Sequence, residues 1–179
     1  MILLKAKRIY LTGLEREHCR KLYEDFEYDF QNPTEPMYIG GSIESSEKWY
    51  DEIQNDMDKH IRLGIFLLDG TVIGDVALQN IDWKNRKCDI GMGFSKIEYR
   101  NKGYGQEVLS LVLDYAFNNM GLWRVEASTQ GENVPAQKIL LKFGFVLEGT
   151  QRQARYWGGK YHDRLMYGKL AKDGCANVI

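Results

Sequence analysis

A glycine-rich turn between a strand and a long amphipathic helix is the feature that most constrains the fold of this chain. The turn covers residues 99–106 and has the sequence YRNKGYGQ. After it, apolar side chains recur at intervals of three and four residues, as they do on one face of a helix. These side chains are Val108, Leu111, Val112, Tyr115 and Ala116. The pattern predicts a helix over residues 103–120, and Gly121 supplies its stop.

Apolar runs separated by turn residues predict strands on both sides of this helix. Asp69-Gly70 and Asn85-Arg86 are the turn signals within the first group of strands. The predicted strands cover residues 8–14, 63–68, 72–78, 87–94, 123–129, 145–147 and 163–170, after an opening strand at the N-terminus. Helices are predicted over residues 15–26, 45–60 and 133–144, with a proline-containing loop at 31–36. This order of elements predicts an α/β fold with a mixed sheet.

Length and charge limit the class of protein. A chain of 179 residues fits one domain, here residues 1–179. Its net charge of -1 gives no general attraction to nucleic acid or to an anionic membrane. No apolar run approaches the ~20 residues that a membrane-spanning helix needs. We therefore expect neither nucleic acid nor membrane as a partner.

The cysteines and histidines indicate the compartment and argue against a metal. The three cysteines, Cys19, Cys88 and Cys175, are far apart in the sequence, and none belongs to a C-x-x-C pair. With only three histidines in the chain, no metal site is expected. The sequence predicts free thiols in a reducing cytoplasm.

The glycine-rich turn suits an anion. Gly103 and Gly105 allow a tight turn and close approach of a ligand, and the first N–H groups of a helix are unpaired donors at the positive end of its dipole. Arg100 and Lys102 add positive charge. No P-loop sequence is present, and Val108 stands where a dinucleotide-binding turn needs its third glycine. A phosphate or pyrophosphate ligand is predicted, and a glycine-rich connection without a ligand is the alternative.

Several motifs in the expected order carry a family resemblance. The pattern R-x-x-G-x-G at residues 100–105 resembles the acetyl-CoA pyrophosphate loop of the GCN5-related N-acetyltransferases (GNAT). The patterns N-x-x-A at 133–136 and K-x-G-F at 142–145 are similar to the second signature of that superfamily. Tyr161-His162-Asp163 with Met166 resembles the closing strand of the branch that contains ribosomal-protein-alanine and spermidine acetyltransferases. The resemblance extends from about residue 8 to residue 170.

This resemblance implies a fold and a reaction. The fold is a mixed, mostly antiparallel central sheet of about seven strands flanked by about four helices. The reaction moves an acetyl group from acetyl-CoA, as co-substrate, to a primary amine by direct attack through a tetrahedral intermediate. No metal takes part in it.

The resemblance also implies cofactor-binding residues. Backbone amides of the turn bind the pyrophosphate, the end of the preceding strand binds the pantetheine arm, and Asn133 contacts pantetheine and caps its helix. Lys142 lies either near the 3′-phosphate or on a solvated helix face. The implied residues are Phe94, Ser95, Arg100, Asn101, Lys102, Gly103, Tyr104, Gly105, Asn133 and Lys142.

The groups that move protons are less well defined. Asp89 is the first candidate for the base and Glu126 the second, and a water chain could replace either. Leu140 and Ala136 occupy the two places where relatives carry a Tyr or Ser acid. A water or a tyrosine such as Tyr156 is left for that role.

An acidic, aromatic segment points to the acceptor. Between Lys21 and Lys48 there is no Lys or Arg. The acidic residues there are Glu24, Asp25, Glu27, Asp29, Glu35, Glu44 and Glu47, and the aromatic ones are Tyr23, Phe26, Tyr28, Phe30 and Tyr38. The resemblance implies that the corresponding helices and loop form the wall of the acceptor cleft. An acidic, aromatic wall favours a cationic small-molecule or peptide amine, namely a polyamine, an aminosugar or a peptide N-terminus. A solvated helix face is the alternative interpretation.

Two alternative functions stay open at the level of sequence. A catalytically weak or inert acyl-CoA-binding regulatory module fits the missing acid, and a mononucleotide-binding domain is disfavoured because neither phosphate motif is complete. The sequence leaves a homodimer open.

Overall fold

The computed structural model describes residues 3–29, 41–55 and 58–173, which contain one eight-stranded sheet. The strands are β1 (Leu4–Lys5), β2 (Ile9–Gly13), β3 (Ile61–Leu67), β4 (Val72–Asp82), β5 (Lys87–Phe94), β6 (Arg124–Gln130), β7 (Val146–Trp157) and β8 (Lys160–Leu170). The α-helices are α1 (Arg16–Glu24), α2 (Ile43–Asn55), α3 (Tyr104–Asp114) and α4 (Val134–Lys142).

The sheet order is β1-β2-β3-β4-β5-β6-β8-β7. Six neighbouring pairs are antiparallel, and β5 with β6 is parallel. The long connection through α3 allows this parallel pair, because parallel strands need a crossover. The predicted α/β fold with a mixed, mostly antiparallel sheet is confirmed.

Two hydrophobic clusters lie on opposite faces of the sheet. Adjacent residues of a strand point to opposite faces, and Ile65 and Phe66 on β3 belong to different clusters. The Ile65 cluster contains buried side chains of α3 and α4, including Leu109 and Leu140. The Phe66 cluster contains those of α1 and is packed against α2. The sheet is therefore covered by α3 and α4 on one face and by α1 and α2 on the other.

The helix predicted over residues 103–120 divides into two parts. The α-helical part ends at Asp114, and a π-helical turn follows over Tyr115–Asn119. The N–H of Met120 donates to the carbonyl of Tyr115, five residues earlier, at 3.0 Å. Gly121 ends the helix with a φ of +67°, as the sequence predicted. Apolar periodicity marks the helical face but does not distinguish an α turn from a π turn.

The prediction for the seventh strand was too short. The sequence predicted a strand over residues 145–147, whereas β7 continues to Trp157 and pairs with β8, which itself begins at Lys160. Most of this extension is polar and exposed, so it has no apolar alternation to mark a strand. A register irregularity also interrupts the pairing between Gln151 and Arg155.

The start of the second helix also differs from prediction, which placed it at residue 45. Helix α2 begins at Ile43, and the Ser42 hydroxyl accepts a bond from the Ser45 N–H at 3.2 Å, as a capping residue does. The helix is described only to Asn55. The loop predicted at residues 31–36 lies outside the described residues, as do Met1, Glu35, Phe30, Tyr38 and Cys175.

No helix in the described part of the chain is both long and apolar enough to cross a membrane.

Candidate active site

Strands β5 and β6 separate part of the way along the sheet. The last pair in their register joins Ile90 to Ala127. Beyond it, residues 91–94 pair with β4 and residues 128–130 pair with β8, and within the described residues no ladder joins these two segments. Parallel strands keep their spacing of about 4.8 Å only where backbone hydrogen bonds join them. The two strand ends therefore border an unpaired gap in the sheet, which we call the β5–β6 opening.

The backbone N–H of Phe94 points towards this opening. The N–H of Ser95 donates to the Ile73 carbonyl on the β4 side at 2.9 Å, and successive amides of a strand point to opposite sides. The Ser95 hydroxyl also donates to Ile73 at 3.2 Å, and the Ser95 carbonyl accepts from the Glu27 N–H at 2.7 Å. Of the two residues at the end of β5 that were predicted to bind pantetheine, Phe94 is therefore the one whose amide has no acceptor among the described residues, and its role stays a prediction.

The turn before α3 presents a row of free donors. Asn101 and Gly103 have φ angles of +58° and +84°. The N–H groups of residues 101–105, which include Lys102, Tyr104 and Gly105, have no hydrogen-bond acceptor among the described residues. The next amide, that of Gln106, donates to the Gly103 carbonyl at 3.1 Å and begins the helix. Free amides at the positive end of a helix dipole form an anion site.

Close packing fixes the turn beside the β5–β6 opening. A Cβ on Gly105 would lie 3.3 Å from Ile139 Cδ1 on α4 and 3.7 Å from the sulfur of Met92 on β5. The turn is thus enclosed between α4 and the end of β5. A Cβ at Gly105 would force the Ile139 side chain to move by a few tenths of an ångström, so the close approach favours glycine at this position.

Arg8 contacts the turn, and no sequence motif indicated this role. Its guanidinium donates to the Lys102 carbonyl at 2.9 Å and forms an ion pair with Glu107 at 2.5 Å. It also lies 4.8 Å from the centre of the Tyr104 ring. These contacts tie β2 to the first turn of α3. Arg8 is far from the turn in sequence, so no local pattern could have identified it.

The two predicted cations of the turn have different surroundings. The Arg100 guanidinium donates to Asp29 at 3.2 Å, so its charge is shared with a carboxylate. The Lys102 residue is exposed. Arg8 is likewise paired with Glu107, so the positive field at the turn comes from the amides and Lys102 more than from either guanidinium.

Asn133 and Lys142 border the same region from α4. The Asn133 side chain accepts from the Ala136 N–H at 3.2 Å, so its predicted capping role is confirmed. The Lys142 Nζ donates to Gln106 Oε1 at 2.6 Å, which places an exposed ammonium beside the first turn of α3. Contact of either residue with a cofactor stays a prediction.

The two predicted bases lie in register on β5 and β6, in the paired part of the strands. Asp89 accepts from the Asn80 amide at 2.7 Å. Glu126 is bound by Arg124 at 2.7 Å and approached by Lys87 at 3.5 Å. Burial raises the pKa of Glu126, but the Arg124 hydrogen bond and the charges of both cations outweigh it and lower the pKa overall. A lowered pKa makes Glu126 a weak proton acceptor at neutral pH.

Neither usual position for a general acid carries a proton donor. Leu140 is buried in the hydrophobic cluster beneath α3 and α4, and Ala136 has no hydroxyl. Tyr156 is 61% exposed on the β7–β8 hairpin, where its ring contacts Tyr161 with 4.9 Å between centres. The structure thus gives Tyr156 a protein contact away from the turn.

The acidic segment after α1 is largely occupied with internal contacts. Asp25 is paired with Lys21 at 2.8 Å, and Glu27 accepts from the Ile97 N–H at 2.9 Å. Together with the ion pair between Asp29 and Arg100, these contacts hold the segment against residues 95–103, which connect β5 to α3. Its carboxylates have less free charge for an acceptor than the sequence indicated.

Free thiols and metal ligands were also predicted from sequence. Cys19 and Cys88 are buried and free, as expected. Across residues 3–29, 41–55 and 58–173, no group of three or more His, Cys, Asp and Glu side chains is arranged to hold a metal ion.

Both the sequence and the fold of this chain are similar to those of known acetyltransferases. Residues 8–146 match the family model described as an acetyltransferase (GNAT) domain. The chain is 32% identical over 172 residues to the uncharacterized N-acetyltransferase YoaA of Bacillus subtilis (strain 168), and the match covers 92% of this chain and 94% of that relative.

Two solved structures are similar in fold. The crystal structure of spermidine N-acetyltransferase from Vibrio cholerae in complex with CoA and spermine has a TM-score of 0.82 and 22% identity, covering 93% of this chain and 97% of that one. Ribosomal-protein-S5-alanine acetyltransferase from Vibrio fischeri has a TM-score of 0.82 and 19% identity, covering 97% and 98%.

Proposed function

The chain belongs to the acetyltransferase (GNAT) family of acetyl-CoA-dependent N-acetyltransferases, and we propose that its acceptor is a cationic primary amine. The amine belongs to a polyamine, an aminosugar or a peptide N-terminus. It attacks the thioester carbonyl directly, without a covalent enzyme intermediate. Family membership gives transfer of an acetyl group from acetyl-CoA, and we add the class of acceptor and the direct attack.

The observation that carries the proposal is the β5–β6 opening with free amides at its edge. The turn at residues 101–105 lies against Met92 of β5, and the Phe94 N–H lies at the end of the same strand. A single extended ligand can reach both sets of donors, with its phosphates on the turn and its thioester near Phe94. Acetyl-CoA has this form.

Each group at the opening then has a role in binding. The amides of residues 101–105 donate to the pyrophosphate, and hydrogen bonds to charged groups contribute about 1.5–3 kcal/mol each. Asn133 contacts the pantetheine arm from the end of β6. Lys142, beside the first turn of α3, offers its ammonium to the 3′-phosphate.

The Phe94 amide has the chemical role. When the amine attacks, negative charge develops on the thioester oxygen, and an N–H fixed in a sheet can stabilise it without reorganisation. Loss of one such donor in other enzymes costs roughly 3 kcal/mol of barrier. Holding the amine and thioester together in the opening lowers the barrier further.

Two carboxylates on one face of the sheet and the names of two similar structures support a cationic acceptor. Asp75 on β4 and Asp89 on β5 present carboxylates on the sheet face that carries α1 and α2. Negative charge there attracts cations. Of the two similar folds, one is a spermidine acetyltransferase bound to spermine, and the other acetylates an alanine of a ribosomal protein, by their names.

An acceptor screen tests this proposal. The protein is incubated with acetyl-CoA and spermidine, glucosamine or a peptide with a free N-terminus, and products are analysed by mass spectrometry. We expect at least one amine to gain a single acetyl group, and the same amine blocked beforehand to gain none. Binding of acetyl-CoA without acetylation of any amine would contradict the proposal.

One observation favours a second candidate, a weakly active or inert acyl-CoA-binding module. Leu140 and Ala136 leave both usual acid positions without a donor. Release of CoA thiol distinguishes the two functions. If no amine accelerates release from bound acetyl-CoA, the binding module is favoured.

A further inference from the structure

A third carboxylate lies closer to the Phe94 end of β5 than either predicted base. Asp75 on β4 is in register with Gly93 on β5 and with Gly64 on β3. A Cβ on Gly64 would touch Leu14 and Phe66, so this face of the sheet is the one that carries α1 and α2. Asp75 therefore points to that face, next to the residue that precedes Phe94.

Among the described residues, no side chain fills the space beside Asp75 on β5. A Cβ built on Gly93 would have no atom of the described residues within 4 Å. Two glycines on this face of β5, Gly91 and Gly93, leave the strand without side chains where it approaches the opening. A substrate amine can therefore lie over Gly93, with the Asp75 carboxylate on one side and the Phe94 amide at the strand end.

The strand register gives the distance of each carboxylate from Gly93. Paired Cα atoms are about 5 Å apart, which gives the separation of Asp75 from Gly93. Asp89 is four residues from Gly93 along the same strand, or about 13 Å at 3.3 Å per residue. Glu126 is in register with Asp89 and is no nearer. Of these three carboxylates, Asp75 is the one that lies beside Gly93.

Arg62 holds the Asp75 carboxylate from one side. Its guanidinium donates to Asp75 Oδ2 and lies 5.2 Å from the centre of the Trp49 ring on α2. The side chain of Asp75 is 22% exposed and that of Arg62 is 25% exposed. No other described group donates to Asp75. The carboxylate is thus oriented by Arg62 and has free lone pairs for a second cation.

We propose that Asp75 receives the ammonium group of the acceptor and takes its proton, a role that rests on the proposed function. In this step an N–H bond of the ammonium breaks, and the proton moves to the carboxylate. The nitrogen lone pair forms the bond to the carbonyl carbon. As the carbon–sulfur bond breaks, the sulfur keeps its electron pair, and the second nitrogen proton goes to the thiolate. The Asp75 proton is released to solvent.

The acidity of Asp75 fits this role. Burial raises the pKa of the carboxyl, and the charge and hydrogen bond of Arg62 offset part of that effect. A raised pKa brings a carboxylate closer to the pKa of the amine it must deprotonate. The titratable groups that face it are Arg62 from β3 and the Cys19 thiol from α1, which burial keeps neutral by raising its pKa to about 11. Gly93 contributes none from β5.

Replacing Asp75 with asparagine tests the role while keeping the shape. With an acceptor found by the screen, we expect Asp75→Asn to lower kcat/KM by about 100-fold or more, the usual contribution of a base. Its affinity for CoA, measured by calorimetry, should stay within about twofold of wild type. Asp82→Asn, at the far end of the same strand, is the matched control and should keep full activity.

A double variant separates chemistry from structure. Asp75→Asn alone leaves the Arg62 charge without its partner, and the fold could suffer. Arg62→Gln with Asp75→Asn restores a neutral pair. We expect the double variant to keep its Tm near wild type and to stay inactive. Recovery of activity in it would reduce Asp75 to a structural partner of Arg62 and overturn the proposal.

Other outcomes also decide the question. Full activity of Asp75→Asn, or a larger loss in Asp89→Asn than in Asp75→Asn, would overturn the assignment of Asp75 and leave the proposed function intact. A wild-type protein that binds acetyl-CoA and acetylates no amine would overturn the proposed function, and this role with it.

Discussion

Cys19 and Cys88 are each 1% exposed. Burial raises the pKa of Cys19 to about 11 and that of Cys88 to about 12. Because the thiolate is the reactive form, we expect neither residue to react with iodoacetamide at pH 8 in the folded protein. Peptide mapping by mass spectrometry, before and after unfolding in guanidinium, measures this. Alkylation of either cysteine in the folded protein at the rate of a free peptide thiol would contradict it.

Lys142 gives a second prediction for a single side chain. If its ammonium binds the 3′-phosphate, Lys142→Met should weaken CoA binding about fivefold, or about 1 kcal/mol, and leave dephospho-CoA binding unchanged. Calorimetric titration with both ligands measures the difference. Lys84→Met, in the exposed turn before β5, is the control and should alter neither affinity. Unchanged affinity for both ligands would assign Lys142 to the solvated helix face, and an equal loss for both would show that it does not act on the 3′-phosphate.

Some residues of the site could be predicted from the sequence, and others could not. The turn could be predicted from its glycines, because a positive φ such as that of Gly103 favours glycine. Arg8 and Asp75 could not, since their roles depend on register and contacts between segments far apart in the chain. Asp89 was preferred as base from its strand alone, and sequence could not show that Asp75 of the neighbouring strand lies beside Gly93.

At the scale of elements, one charged network joins β6 to β7. Arg124 on β6 donates to Glu148 on β7 at 2.9 Å and to Glu126 at 2.7 Å. The Arg124 hydrogen bond lowers the pKa of Glu148. For Glu126, burial acts the other way but is outweighed, and its pKa is lowered too. The network therefore favours the ionised carboxylates.

This network predicts a pH-dependent stability. Carboxyls with lowered folded pKa values stabilise the fold above the ordinary Glu pKa of about 4.3, and that contribution is lost as pH falls through the folded pKa. Because Glu148 is 43% exposed, we expect Arg124→Gln to cost about 1 kcal/mol at pH 7, or roughly 2–4 °C in Tm. The difference from wild type should shrink below about pH 4.

Thermal unfolding between pH 7 and pH 3 checks this prediction. Arg16→Gln is a suitable control, because the Arg16 pair with Asp51 is more exposed and should matter less. A Tm difference for Arg124→Gln that stays constant over the whole pH range would show that the ionised carboxylates are not its cause.

Elements were predictable where one face is apolar. Strand β5 matches its predicted range, and the apolar stripe of α3 was identified correctly. Strand β7 was missed beyond residue 147, because most of its residues there are polar and exposed and show no apolar alternation, although they pair with β8. Backbone pairing leaves no mark on a sequence when neither face of the strand is buried.

At the scale of the whole molecule, the order of elements predicted the sheet and the motifs predicted the family. What could not be predicted is the β5–β6 opening, which exists because pairing ends at Ile90 and Ala127. Both strands continue beyond that pair with suitable residues, so the end of pairing is a property of the assembled sheet. The proposed site depends on this gap, with the turn of α3 at one end.

The binding of acetyl-CoA by that turn is tested most directly by calorimetry on two matched glycine variants. Gly103 and Gly70 both have positive φ angles, +84° and +93°, so a glutamate costs similar backbone strain at each, about 1–2 kcal/mol. Gly103 lies in the glycine-rich turn before α3, whereas Gly70 lies in the hairpin between β3 and β4. We expect wild type and Gly70→Glu to bind acetyl-CoA alike, and Gly103→Glu to stay folded and lose binding by about 100-fold or more. Wild-type affinity in Gly103→Glu, or no binding by the wild-type protein, would contradict the site.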